Sequence, residues 1–277
     1  MEHANVGGID LEFQVRGSGD PVLLIHASVI ADGFAPLLAE ASFAQSGRII
    51  QYHRRGFAGS TRHTGPRSVA QQASDCRGLL RYLDVSRAHV LGHSYGGSIA
   101  LQLALEAPDT VHSLCLLEPA LMFVPGAAQF MQQMTPIVQM YDAGQKVGAI
   151  DAFLRLVSGP HYREALDRLL PGEFELAVVD ADTLFQVELP SLQGWSFRRD
   201  DARRIWQPVL SAVGSDSEPI FSEIHQMLLT WFPQVETLIV PAATHTLQMM
   251  NPIAVADGLA HFFKRHPVGA ERSAAEV

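Results

Sequence analysis

The spacing of hydrophobic positions changes several times along this chain, and each change marks a new element. Ile9, Leu11, Phe13 and Val15 alternate with Asp10, Glu12, Gln14 and Arg16. A period of two predicts a half-buried strand over Ile9–Arg16, in an antiparallel pair. Gly17-Ser18-Gly19-Asp20-Pro21 then supplies turn residues. Behind it Val22-Leu23-Leu24-Ile25 is apolar without interruption, so a strand covered on both faces is expected over Val22–His26. A third strand is predicted over Arg48–His53.

Strands and helices then alternate. Val69, Cys76, Leu79, Leu80 and Leu83 recur at helical spacing over Ser68–Leu83. Ala88–Leu91 reads as a short buried strand, Tyr95–Ala107 as a helix ended by Pro108, and Val111–Leu117 as another buried strand. From about Leu121 to Trp206 the rhythm breaks. That stretch holds no convincing buried strand, and helices are predicted over Gln129–Asp142, Gly148–Leu156, Tyr162–Leu169 and Phe174–Leu184. The alternation resumes with a strand over Pro208–Val213, a helix over Ile220–Phe232, a strand over Val235–Val240 and a helix over Pro252–Arg265. Repeated strand–helix order implies parallel strands joined by helical crossovers, hence a three-layer α/β fold. The expected organisation is an α/β core from residues 1–120 and 207–277, with 121–206 as a helical cap inserted into it. The polar tail Pro267–Val277 is expected to fray.

Composition narrows the functional classes. With 47% hydrophobic and 18% charged residues, the chain can bury a sizeable core and is not a disordered segment. A net charge of −9 argues against a nucleic-acid partner, which would call for a basic face. Cys76 and Cys115 form no spacing pattern and fit a reducing compartment. Met1–Asn5 has no basic leader character, and no window offers about 18 uninterrupted apolar residues, so neither a signal peptide nor a membrane span is expected. A cytoplasmic location follows as an expectation.

One motif carries chemistry. Gly92-His93-Ser94-Tyr95-Gly96 is a G-x-S-x-G pentapeptide between a predicted buried strand and a predicted helix, with Gly97 adding a further small residue. In that context it is a nucleophile elbow, a turn so tight that small residues must flank the serine while its hydroxyl stands exposed above the sheet. The helix behind it offers its positive end to a developing oxyanion.

On these residues the chain resembles the α/β-hydrolases from Ile9 to about Arg265. Leu23-Leu24-Ile25-His26-Ala27-Ser28 is similar to the strand and His-Gly turn that supply half of that family's oxyanion hole. Tyr52–Ser60 resembles its Asp-x-Arg-Gly-x-Gly-x-Ser loop, and Pro241-Ala242-Ala243-Thr244-His245 the loop bearing its catalytic histidine. The resemblance implies Ser94 as nucleophile, His245 as base, and the backbone N–H groups of Tyr95 and of Ser28 or Ala27 as oxyanion donors. It leaves two candidates for the acid. Asp216 follows the strand Val209–Val213, as chain order favours, but Ser217 occupies the usual place of the acid. Glu118 ends the strand Val111–Leu117, where some members carry theirs, and it is preferred here. His93, His26 and His53 are read as structural. Ala27 stands in place of the usual glycine, and a positive φ there would cost on the order of 1 kcal/mol. His53 replaces the usual aspartate.

A serine at the elbow argues against the aspartate-nucleophile dehalogenases and epoxide hydrolases of this fold. No H-E-x-x-H, C-x-x-C, P-loop or dinucleotide fingerprint occurs, so no metal and no cofactor are expected. Apolar cap residues, among them Phe123, Phe130, Met131, Met134, Met140, Phe153, Phe185, Trp195 and Phe197, imply a small-to-medium hydrophobic ester or lactone as substrate. C–C bond hydrolysis, amide cleavage, perhydrolysis and ligand binding with little turnover share the same scaffold and stay open. A homodimer is likewise left open.

Overall fold

The computed structural model describes residues 1–62 and 67–269. Its centre is an eight-stranded sheet: β1 (Glu2–Val6), β2 (Ile9–Arg16), β3 (Pro21–Ile25), β4 (Arg48–Tyr52), β5 (Ala88–His93), β6 (Val111–Leu117), β7 (Val209–Gly214) and β8 (Glu236–Val240). The spatial order is β1-β2-β4-β3-β5-β6-β7-β8. The β1–β2 and β2–β4 pairs are antiparallel, and every other pair is parallel. β1 has no counterpart in the sequence reading. Only Ala4 and Val6 of its five residues are buried, too few for the alternation to register.

The central strands β5, β6 and β7 are buried along their whole length, as continuous apolar runs require. Two apolar clusters sandwich them. One holds Leu79, Leu80, Ile99 and Leu103 against Leu23, Val90 and Leu114. The other holds Leu259, Phe262 and Phe263 against Leu24, Leu91 and Cys115. Helix 69–82 starts from a capping box in which the Ser68 hydroxyl accepts from Gln71 N and the Gln71 side chain accepts from Ser68 N.

Between β6 and β7 there is no strand. The chain forms helices Ala127–Asp142, Lys146–Ser158, Tyr162–Leu169 and Glu173–Val179, a π-helical turn Thr183–Glu188, and short helices Leu189–Gln193 and Arg199–Ala202. The sequence pattern runs Phe174–Leu184 as one helix; the structure ends it at Val179 and passes into the π turn. These helices share an apolar cluster, Ile137, Ile150, Leu154, Phe174 and Leu184 among it, with Val29, Ile30 and Met249 from loops at the end of the sheet. The helical segment therefore packs onto the sheet's loops rather than enclosing a core of its own. Of the tail, residues 270–277 lie outside the described residues. Just before them Val268 N donates to Asp20 Oδ2 at 2.7 Å. Among the described residues no helix is long and apolar enough to cross a membrane.

Candidate active site

Strand register brings the site together. Ile25 pairs with Gly92, so the segment after β3 starts beside His93 and Ser94. His93 pairs with Leu117, which sets Glu118 next to Ser94, and Leu117 pairs with Ala212, which aims the end of β7 at Glu118. Gly214 pairs with Val240, so the loop after β8 departs from the same edge. All of these ends are carboxyl ends, where ligands collect on open parallel sheets.

Ser94 has φ 53° and ψ −119°, a backbone conformation that side chains other than glycine seldom adopt. Its neighbours explain why it persists. Ser94 N donates to Leu117 O at 3.0 Å, and Ser94 O accepts from Gly97 N and Ala120 N, both at 2.9 Å. A Cβ on Gly96 would collide with the Ile25 carbonyl, and one on Gly92 with the Gly96 carbonyl, so the turn can close only with glycine at both places. Tyr95 opens helix 95–106, and its N–H has no partner inside the helix.

His245 Nδ1 lies 2.7 Å from Glu118 Oε2, and both residues are buried. The other carboxyl oxygen, Glu118 Oε1, accepts from Gly214 N at 2.8 Å and from Ser217 Oγ at 2.5 Å. Three donors thus hold this carboxylate where solvent cannot. Ser217, in the place where the resemblance would put an acid, donates to the acid of the neighbouring strand instead. Asp216 is exposed and accepts from Ser215 Oγ at 2.9 Å, while its N–H donates to Ala243 O at 3.0 Å. The structure brings His245 and Glu118 together and leaves Asp216 in its own turn.

The imidazole of His245 stacks on Phe221, with ring centroids 4.1 Å apart and planes at 14°. His93 supports the loop from below. Burial, then the nearby His245, pushes its pKa well below the usual histidine range, so the ring is neutral. Its Nε2–H donates to His245 O at 2.8 Å, and its Nδ1 accepts from Gln248 Nε2 at 3.0 Å. His26 is also neutral, with its pKa driven down by burial and then by Arg54. It donates from Nδ1 to Ala27 O at 2.7 Å and accepts from Arg54 N at 2.9 Å. His53 bridges Glu12 at 2.7 Å and Asp32 at 3.2 Å. All three histidines therefore order loops, and His93 does so by hydrogen bonding as well as packing.

The turn after β3 departs from the expectation at Ala27. Positive φ falls on Val29, at 58°, and not on Ala27. A β-branched residue in that region is strained by roughly 1–2 kcal/mol. The Val29 side chain is buried in the cluster of the helical segment, which returns a comparable amount, roughly 1.5–3 kcal/mol. The helices thus stabilise the very turn that presents Ser28.

Ser28, Ser94, Tyr95 and His245 line one cavity of about 500 Å³. Its other walls are mostly apolar side chains of the helical segment, including Phe130, Met134, Phe153, Leu184 and Trp195. Ala27 lines a smaller adjoining cavity with Ser94 and His245. Sequence reasoning missed Ser217, Gly214, Phe221 and Gln248 as supports. Of these, only Ser217 carried a signal, through its place in the loop after β7.

An elbow serine at the carboxyl edge of this sheet, lining one cavity with a histidine that is bonded to a buried carboxylate, defines a hydrolase of the α/β class. The chain belongs to that family: residues 20–252 match the family described as alpha/beta hydrolase fold. Over 116 residues it is 38% identical to "Putative carbamate hydrolase RutD" of Azorhizobium caulinodans. That match covers 42% of this chain and 43% of the relative, so the chain spans less than half the relative's length. Among solved structures, the enol-lactonase from Burkholderia xenovorans LB400 superposes with a TM-score of 0.76 at 19% identity, over 96% of this chain and 99% of that one. A thermophilic esterase from Thermogutta terrifontis gives 0.75 at 19% identity, over 97% of this chain and 100% of that one. Identities at that level speak for the fold alone.

Proposed function

We propose that this protein is a serine hydrolase that cleaves small-to-medium hydrophobic carboxylic esters or lactones through an acyl-enzyme. The observation that carries this reading is the 2.7 Å bond between His245 Nδ1 and Glu118 Oε2 beside an elbow serine, at the floor of an apolar cavity. In this reading Glu118 holds the proton on Nδ1 and stabilises the imidazolium, leaving Nε2 as the base. Ser94 Oγ attacks the carbonyl carbon as His245 takes its proton. The oxyanion is received by the N–H groups of Tyr95 and Ser28. His245 then returns the proton to the departing alkoxide, and a water activated by the same imidazole releases the acid. The helices of 121–206 act as a cap that excludes bulk water and receives the apolar part of the substrate. A carbamate presents the same kind of carbonyl, so the chemistry named for the Azorhizobium relative needs no different machinery.

The test is covalent. A fluorophosphonate is expected to label one site per chain in the native protein and none in Ser94→Ala, with p-nitrophenyl ester turnover falling about 10⁶-fold in Ser94→Ala or His245→Ala. Labelling and turnover that survive in Ser94→Ala would overturn the assignment. A panel of esters, amides and vinylogous diketones then ranks ester cleavage against the other chemistries of the scaffold.

A further inference from the structure

The cavity lining includes a buried charged group that the hydrolytic reading does not use. Glu188 closes the π-helical turn Thr183–Glu188, has no accessible surface, and lines the same cavity as Ser94. Its counter-charge is Arg54, itself 1% exposed, whose Nη2 lies 2.6 Å from Glu188 Oε1. Three of the five N–H groups of Arg54 are committed elsewhere. Nε donates to His26 O at 3.0 Å, Nη1 to Gln72 Oε1 at 2.8 Å and Nη2 to Ala27 O at 2.9 Å. The close approach ion-pairs Arg54 with Oε1 alone. Oε2 has no hydrogen-bond donor among the described residues.

The nearest network does not reach Oε2. Gln72 Nε2 donates to Tyr95 Oη at 2.9 Å, and Tyr95 Oη donates onward to Ser191 Oγ at 2.9 Å. A buried acceptor left unsatisfied costs about 1–3 kcal/mol. A carboxylate serving only as a counter-ion would be expected to engage the guanidinium through both oxygens, in a bidentate fork. Here the side chain is also held in place from both ends of its turn. Thr183 Oγ1 donates to Gly56 O at 2.9 Å, and Arg54 sits two residues before Gly56 in the loop after β4. Single π turns are rare and concentrate at functional sites.

We infer that Glu188 is a specificity-determining residue that accepts a hydrogen bond from a neutral hydroxyl or amide N–H carried by the substrate. Arg54 decides the charge of that group. Because it already balances Glu188, an ammonium in the cavity would meet a guanidinium behind the carboxylate and leave an uncompensated buried charge. A neutral donor fills the open acceptor and leaves the balance intact. The preferred ester is then apolar over most of its length, with one donor at the depth of Glu188. Saturated analogues bind poorly because they leave Glu188 dry and unpaired. This inference rests on the proposed function in one respect, that the cavity beside Ser94 receives the ester.

Binding to a protein without its nucleophile tests it separately from turnover. Ser94→Ala would be titrated calorimetrically with ethyl octanoate and with its monohydroxy derivatives, one for each chain carbon from the third outward. At least one hydroxyl position is expected to bind about 10-fold or more tightly than the parent. Adding Glu188→Leu should abolish that difference. Arg54→Met together with Glu188→Leu serves the same purpose if the single change leaves Arg54 unpaired and the protein unfolded. A hydroxyl preference in Ser94→Ala, combined with no ester turnover by the native chain, would sink the hydrolase reading and leave Glu188 its role. Equal or absent binding across the series, a preference that persists without Glu188, or tighter binding of the matching ammonium ester would overturn the role of Glu188 whatever the turnover.

Discussion

The two walls of the cavity are built on different terms. Behind the wall contributed by the sheet, the buried polar side chains are hydrogen-bonded: Glu118 has His245, Gly214 and Ser217, and His93 has both ring nitrogens in use. On the wall contributed by the helices, side chains are mostly apolar, and the buried charge among them, Glu188, is ion-paired through Oε1 while Oε2 has no donor among the described residues. A satisfied network has one arrangement and holds groups still, which proton transfer at fixed geometry needs. An apolar wall with an open acceptor is indifferent to exact shape and discriminates by what fills it. On the proposed function, the difference assigns chemistry to one wall and selectivity to the other, so that each can be broken independently.

The most damaging break is expected on the sheet wall. Glu118→Gln should keep the fold yet lower turnover by up to about 10⁴-fold, since the imidazole loses the group that orients it. Asp216→Asn should leave most activity. Steady-state rates for the two variants decide between them, and a crippled Asp216→Asn beside a mild Glu118→Gln would reverse the assignment. On the helix wall, Leu154→Ala opens a hole in the cluster that also holds Val29. It should destabilise by about 2–5 kcal/mol in urea unfolding and raise KM more than it lowers kcat. An equal loss in kcat would mean that the walls are not separable.

A smaller effect sharpens the picture within the sheet wall. Ser217→Ala removes one of the donors to Glu118 and leaves Gly214 N–H in place, so kcat should drop only about 10-fold. The smallest is a pH effect. Burial lowers the His53 pKa, but its bonds to Asp32 and Glu12 outweigh that and leave it raised. A raised pKa stabilises the fold fully below the unfolded value, about 6.5, and ceases to do so as pH climbs through the folded value. Urea midpoints should therefore fall as pH rises above about 6.5, and His53→Gln should remove that share of the fall. An unchanged pH dependence in His53→Gln would show that the bridge contributes nothing.

Much of the fold could be read from contiguous residues. The alternating run at Ile9, the unbroken run at Val22 and the glycines about Ser94 each carry their structure locally, because period and turn sterics act over a few residues. The same holds for His245, whose place after the last strand is a matter of order along the chain. β1 escaped notice because an edge strand with two inward residues has little pattern to show. The π turn escaped because its apolar spacing continues that of the helix before it.

What the sequence by itself determined is thus the strand–helix alternation, the helical interruption between Leu121 and Trp206, and the elbow at Ser94, all set by side-chain period and by backbone sterics within one turn. Only the tertiary structure decided which carboxylate meets His245. Glu118 and Asp216 lie close to neighbouring strands' ends, and the register of β6 against β7 directs one inward and leaves the other in solvent. It likewise decided that positive φ falls on Val29 rather than Ala27, that Ser217 serves an acid instead of replacing one, and that Arg54 finds Glu188. Each of these joins residues far apart in the chain, and the energies involved, desolvation and hydrogen-bond satisfaction, take their values only once both partners have been buried together.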